Sequence, residues 1–309
     1  MAVTGKDVSF LLAARNLGAS YERTLTIGRQ FLFATAAELV EAHREVGQTL
    51  TADRAEALVR EGKGFVEPVF RDLGAVTVDS LDASSYEGST FVQDLNQPLA
   101  DELRGRYTAV FDGGTLEHVF NLPEALRSCM RAVAPGGHLV AITPADSQIG
   151  HGFYQFSPEL FYRALSPGNG FEMRTLLIRA SARGASWRAV ADPAQVGARV
   201  TGSSPWPTFM FVLARKISDA EPFEAWPQQS DYQTVWEGGA LRPAQRVRSR
   251  VLARLPRGLR QAVDRARGDT AVLGRWSGPG HFRRVQLADL RLEAGAPSNP
   301  TGPAGEPGA

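Results

Sequence analysis

Apolar and polar positions along the chain follow two periods. From about residue 24 to 215, short β-type runs alternate with segments whose apolar residues recur at helical spacing. Thr24–Ile27 is the first such run and ends at Gly28. Residues 38–60 read as helical, with Leu39, Val40, Val46, Ala57 and Leu58 as apolar positions and a break near Gly47–Thr51. A short helix over 66–73 precedes a strand at 75–78, and further short runs follow at 90–92, 108–111 and 139–143. Asn121 is placed to cap a helix over 123–133 that Gly136 and Gly137 close, and Ser157-Pro158-Glu159 opens another. Runs at 173–178 and 209–214 end the series. About seven strands and five or six helices then fill one domain over 1–217, a doubly wound α/β domain with a mostly parallel sheet.

Composition narrows the class. With 309 residues, 43% of them hydrophobic and 22% charged, the chain can bury a core, which excludes a disordered or fibrous protein. A single cysteine, Cys129, excludes an internal disulfide framework and fits a reducing compartment. No apolar run approaches the ~20 residues of a membrane helix, and the stretch Ser9–Ala14, followed at once by Arg15, is too short for a signal segment. A cytoplasmic protein with no integral membrane segment is the expectation.

The net charge of +1 conceals an asymmetry. Twelve arginines against Asp264 and Asp269 give residues 242–284 a local charge of +10, which leaves −9 on the remainder. Val247, Val251, Leu255, Leu259 and Val263 recur every fourth residue there, with Pro256 and Gly258 as breaks. A basic, partly helical extension over 218–293 docks either on the acidic body of its own chain or on an anionic partner, membrane or nucleic acid. Residues 294–309 are rich in Gly, Pro, Ala and Ser and read as a disordered tail.

In open α/β sheets, ligands bind outside the carboxyl ends of the strands. Those ends carry Gly28-Arg29-Gln30, Asp79 to Ser84 with Asp82 among them, Asp94-Leu95-Asn96, Asp112 to His118, and Pro144-Ala145-Asp146. Acids at such positions either bind ribose hydroxyls or cap the following helix.

Tyr107 to Asp112, then Leu116-Glu117-His118-Val119, the helix with Ala125 and Leu126, and Ala134-Pro135-Gly136-Gly137-His138-Leu139 resemble the second half of a class I S-adenosylmethionine-dependent methyltransferase, nearest the type-11 methyltransferase domain. The resemblance covers about residues 20–215. It implies a Rossmann-like sheet of six parallel strands with a seventh, antiparallel strand inserted at the edge, S-adenosylmethionine as cofactor, and methyl transfer to a small-molecule or glycan-type acceptor. By the same resemblance Asp82 holds the ribose, with Asp79 as the fallback, and Asp94 and Leu95 face the adenine. Asp112 and Gly113 line the methionine end, and Glu117 and His118 lie at the acceptor pocket. The first loop departs from the pattern: a single glycine, Gly28, is followed by Arg29 and Gln30, whose side chains reach into the space of the cofactor or, for Arg29, pair with a carboxylate.

The segment Gly150 to Glu159 is the most distinctive of the chain. Two glycines flank His151, and Phe153 and Phe156 are placed to anchor a loop that presents His151, Tyr154 and Gln155 to a ligand. His151 and His118 are the general-base candidates, since imidazole titrates near neutrality. The five histidines and lone cysteine show no metal-ligand spacing, so no metal is expected. A second reading keeps the fold without the activity, as a catalytically inactive binding or scaffold protein. A third makes the basic extension an RNA contact.

Overall fold

A computed structural model describes residues 2–238, 275–276 and 281–292. Its strands, in chain order, are β1 (Ala2–Val3), β2 (Arg23–Ile27), β3 (Phe31–Leu32), β4 (Thr77–Asp82), β5 (Phe91–Val92), β6 (Tyr107–Asp112), β7 (Val133–Asp146), β8 (Phe171–Ala180), β9 (Trp187–Val190), β10 (Gly202–Ser203), β11 (Thr208–Lys216), β12 (Arg275–Trp276) and β13 (Phe282–Val285). The main sheet has the order β13-β9-β8-β11-β7-β6-β2-β4-β5. β5, β4, β2, β6 and β7 pair in parallel. β11 runs antiparallel between β7 and β8, so β8 points the same way as β7. β5, β4, β2, β6, β7 and β8 thus run one way with β11 inserted antiparallel, and the runs expected at 173–178 and 209–214 form that pair as β8 and β11. Beyond β8 the sheet goes on through β9 and β13, where the sequence led us to expect seven strands.

Side-chain alternation along the central strands feeds two cores. Val140 and Ile142 of β7, with Phe211 and Leu213 of β11, enter one; Leu139 and Ala141, with Met210 and Val212, enter the other. The first face is covered by helices α1 (Gly5–Asn16), α2 (Ala36–Glu45), α3 (Ala52–Gly62) and α4 (Glu67–Asp72). The second is covered by α5 (Leu122–Ala132) and α6 (Pro158–Ala164). Cys129 is buried there as a free thiol, its pKa pushed up by burial. Thr51 accepts a hydrogen bond from the Arg54 amide and starts α3 after Gly47 (φ 73°) has turned the chain, at the break expected near Gly47–Thr51.

Three features differ from the sequence expectations. α1 was not expected, because Val8 to Ala14 are all buried and leave no polar face to reveal a helical period. The second parallel strand begins at Thr77 instead of Ala75. The Ala75 amide still closes α4 on the Phe70 carbonyl, and Val76 is 81% exposed. Nor does the fold stop at residue 217: β13 pairs with β9 at the sheet edge, and Leu287 is buried in the core beside α1. The apolar residues that do this, Val285 and Leu287, stand among arginines that masked them. Residues 239–274, with the periodic positions 247–263, and the tail 294–309 lie outside the described residues. Among the described residues no helix is long and apolar enough to cross a membrane.

Candidate functional site

The carboxyl ends of β6, β7 and β8 and the amino end of β11 share one edge, and a cavity of about 560 Å³ opens there on the α1 side. Phe111, Ile142, Phe209 and Phe211 give it an apolar floor. Gly113, Gly114, Glu117, His118 and His151 form one wall, and Arg179 stands among the remaining lining residues with Lys6 and Asp7 from the start of α1. Burial lowers the pKa of Arg179, and its Nε has no hydrogen-bond partner. Burial raises that of Asp7 to about 6, against the hydrogen bonds its carboxylate accepts from Thr4.

The two distinctive motifs meet at Glu117. The amides of Phe153 and Tyr154 both donate to the Glu117 carbonyl, at 2.8 and 3.2 Å. Gly152 makes that approach possible: a Cβ there would lie 2.8 Å from the Glu117 carbonyl oxygen and 3.1 Å from its Cγ. His151 is thereby delivered to the Glu117 carboxylate, with Nε2 3.5 Å from Oε1, while His118 Nε2 lies 4.0 Å from the same oxygen. The imidazole rings are 5.3 Å apart. Glu117 is 1% exposed, and its Oε2 is buried without a partner. Burial raises its pKa, and the neighbouring Asp112 carboxylate adds to the rise. Burial and the His151 imidazole lower that of His118, favouring its neutral form.

The other residues of the distinctive loop hold it in place. The Tyr154 hydroxyl donates to the Phe120 carbonyl at 2.7 Å, and Gln155 Oε1 accepts from the Gln148 amide at 2.9 Å. Neither lines the cavity, so the structure places both in the scaffold of the loop, where a ligand contact was expected. Phe156 anchors the loop in the second core, whereas Phe153 is 65% exposed and meets Phe120 edge-on.

On the cofactor side, Asp82 is the last residue of β4 and stands half-buried at the strand end; Asp79 lies deeper and accepts from the Tyr107 hydroxyl at 2.9 Å. Asp94 accepts from the amide and side chain of Asn96, which hold its carboxyl below the ordinary range, and Leu95 is buried beside it. Asp112 is fully buried. Its Oδ1 accepts from the Thr115 and Leu116 amides, its Oδ2 has no partner, and burial raises its pKa. Gly28, at φ 71°, donates its amide to the Leu81 carbonyl. Arg29 is turned away from the crevice and bound to its own chain: Nε donates to Glu67 Oε1 at 2.7 Å, Nη1 to the Glu87 carbonyl at 2.7 Å, and the guanidinium covers Phe65. Its predicted role toward a cofactor carboxylate is replaced by the pair with Glu67.

These groups can be tested against S-adenosylmethionine. The orphaned, buried Asp112 oxygen calls for a donor and suits an ammonium group, and Asp82 is the residue type that holds ribose hydroxyls. Between Gly28 and Gly113 lies Gln30, whose Nε2 donates to the Ile27 carbonyl at 2.6 Å and whose Oε1 is 2.8 Å from where a Gly113 Cβ would be. The donor set fits the cofactor at Asp82 and Asp112, whereas the Gln30 side chain stands between the two glycines.

Arg179 and the lining residues of β1, α1 and β11 were missed in the sequence. For Arg179 a signal existed, since it lies one residue before the end of β8, at the edge where ligands bind; the residues of α1 carried none.

No family model matches the chain, and no curated protein matches it. Solved structures do. A geranyl diphosphate C-methyltransferase from Streptomyces coelicolor A3(2), in complex with Mg2+, geranyl diphosphate and S-adenosyl-L-homocysteine, is 17% identical over 68% of this chain and 79% of that one, with a TM-score of 0.34. The trans-methyltransferase CalH, in complex with S-adenosylhomocysteine, is 14% identical over 68% and 55%, TM-score 0.34. The [4+2]-cyclase SpnF is 15% identical over 68% and 79%, TM-score 0.34. The strand order decides the architecture. The fold is that of the class I methyltransferases.

Proposed function

We propose that the protein transfers a methyl group from S-adenosylmethionine to a small acceptor held in the cavity beside Gly113. The observation that carries this reading is the position of the cavity: it adjoins the β6 end at Gly113 and Gly114 and has a buried carboxylate with two imidazoles in its wall. When bound, the cofactor supplies an activated methyl group. Asp82 holds its ribose, Asp94 and Leu95 border its adenine, and Asp112 accepts from its amino group. Phe209, Phe211 and Ile142 take the apolar body of the acceptor, and Arg179 faces an anionic or carbonyl oxygen on it. His151, or His118 beside it, accepts the acceptor's proton. The aromatic and aliphatic floor suits a compact organic acceptor, with Thr4, Lys6, Asp7 and Ser181 as further polar groups of the lining.

Calorimetric titration with S-adenosylhomocysteine tests the reading. Saturable binding by the wild type that Asp82→Ala weakens about tenfold or more supports it; binding indifferent to Asp82→Ala overturns the assignment of the ribose site. A second reading, a ligand-binding protein that does without the cofactor, is favoured by one observation. Gln30 Nε2 and Thr115 Oγ1 both donate to the Ile27 carbonyl, each at 2.6 Å; the first folds the β2 loop back on itself and the second ties the β6 loop to β2. No binding of S-adenosylhomocysteine by folded protein decides for that second reading.

A further inference from the structure

We propose that Glu117, His118 and His151 form a binding site for one divalent first-row metal ion, in the class of zinc and iron(II), at the wall of the cavity. The donor atoms of the three side chains lie within 4.8 Å of one another. The two imidazole–carboxylate separations are 3.5 and 4.0 Å. Around an ion at about 2.1 Å from each donor, neighbouring ligand atoms stand roughly 3.0–3.5 Å apart, so a small inward turn of the two rings closes the site. Both histidine side chains are half-exposed, His118 at the end of a 3-10 turn of helix over Leu116–His118 and His151 in a bend, whereas Glu117 is buried. Two neutral nitrogens and one carboxylate oxygen are a donor set for zinc or iron(II), and oxygen-seeking magnesium is not served by it.

The independent observation is Glu117 itself. A carboxylate 1% exposed, with Oε2 unpartnered, is an unfavourable group unless something satisfies it. Its backbone is held from both sides: Phe153 and Tyr154 bind its carbonyl, Gly152 packs on its Cγ, and Gly114 is placed so that a Cβ would meet Oε1 at 3.1 Å. A carboxylate positioned this tightly beside two imidazoles, all three lining a cavity, is a ligand set with its remaining positions directed at whatever the cavity holds. The occupant offers an oxygen donor to the metal and, across the apolar floor, an anionic group to Arg179.

The proposal does not need the cofactor crevice of Asp82 and Asp112, but it replaces the general-base role of His118 and His151 in the proposed methyl transfer, because an imidazole nitrogen that holds a metal ion cannot also accept a proton. The test uses untagged full-length protein stripped by chelation and titrated with Co2+. The expected result is a visible d–d absorption saturating at one equivalent, displaced by Zn2+ and insensitive to excess Mg2+. His118→Ala and His151→Ala, each confirmed as folded by circular dichroism, lower Co2+ affinity by more than the roughly 10- to 100-fold that loss of an outer-shell partner produces. His281→Ala leaves it unchanged, as does the addition of S-adenosylhomocysteine-site variants such as Asp82→Ala. Absence of a saturable spectrum, or a spectrum that survives in the His118→Ala/His151→Ala double variant, overturns the proposal. Parallel S-adenosylhomocysteine titration separates this result from the fate of the methyl-transfer reading.

Discussion

Glu117 is the residue on which most of the site turns, and its environment makes two measurable demands. Its carboxyl is raised to about 8 by burial and by the nearby Asp112 charge. A group whose folded pKa exceeds its unfolded value binds its proton more tightly in the native state, so the native state is favoured at low pH. That contribution is complete below the ordinary Glu value of 4.5 and is lost as pH rises through the elevated one. Denaturant midpoints of the metal-free protein should therefore fall between pH 5 and about 8, and Glu117→Gln, which cannot ionise, should flatten that slope. The second demand is steric. Gly152→Ala places a methyl 2.8 Å from the Glu117 carbonyl oxygen, so the loop must lift away. A loss of about 1–3 kcal/mol is expected, measured by chemical denaturation. At this scale the sequence was legible in part: the motifs named Glu117, His118 and His151. That the two motifs touch was not, because a glycine that permits backbone approach looks in sequence like any turn glycine.

Whole elements were legible where one face is polar and hidden where none is. The α5 start at Asn121 and the α6 start at Ser157 were readable because Pro123 and Pro158 follow them at the first turn. α1 was not, because it is enclosed by α2, the sheet and the residues around Leu287. Phe10 at its centre is fully buried and meets Phe211 edge-on at 5.4 Å. Phe10→Ala should destabilise the protein by about 3–5 kcal/mol, a core-sized effect. Leu287 offers the sharper contrast. If the segment after residue 217 were an appendage, Leu287→Ala would change stability by less than about 0.5 kcal/mol. Buried at 1% exposure against α1, it should instead cost about 2–5 kcal/mol. Thermal or urea unfolding of the full chain distinguishes the two outcomes directly.

For the molecule as a whole, the relation between the two halves of the carboxyl edge is the open functional question, and it turns on Gln30. The strand order, with β2 between β6 and β4, puts a crevice between the β2 and β6 loops; the alternation of strands and helices made the mostly parallel sheet readable, though not the order of its strands. What fills the crevice was only half readable: bulky residues after Gly28 signalled obstruction, but not which side chain obstructs. Arg29 leaves toward Glu67, and Gln30 folds back onto Ile27 and Gly113. Gln30→Ala removes the amide and its hydrogen bond to the Ile27 carbonyl while leaving Thr115 to satisfy that oxygen. The variant should therefore stay folded, with a loss near the ~1 kcal/mol of one hydrogen bond. If S-adenosylmethionine binds by displacing Gln30, the wild type spends part of its binding energy on that displacement. Gln30→Ala then binds S-adenosylhomocysteine more tightly, by about tenfold for each 1.4 kcal/mol released. If the crevice is not a cofactor site, Gln30→Ala binds no better than the wild type. Affinity for ligands of the cavity wall, beyond Gly113 and independent of Gln30, stays unchanged in either case, which makes Co2+ titration of the same variant the internal control.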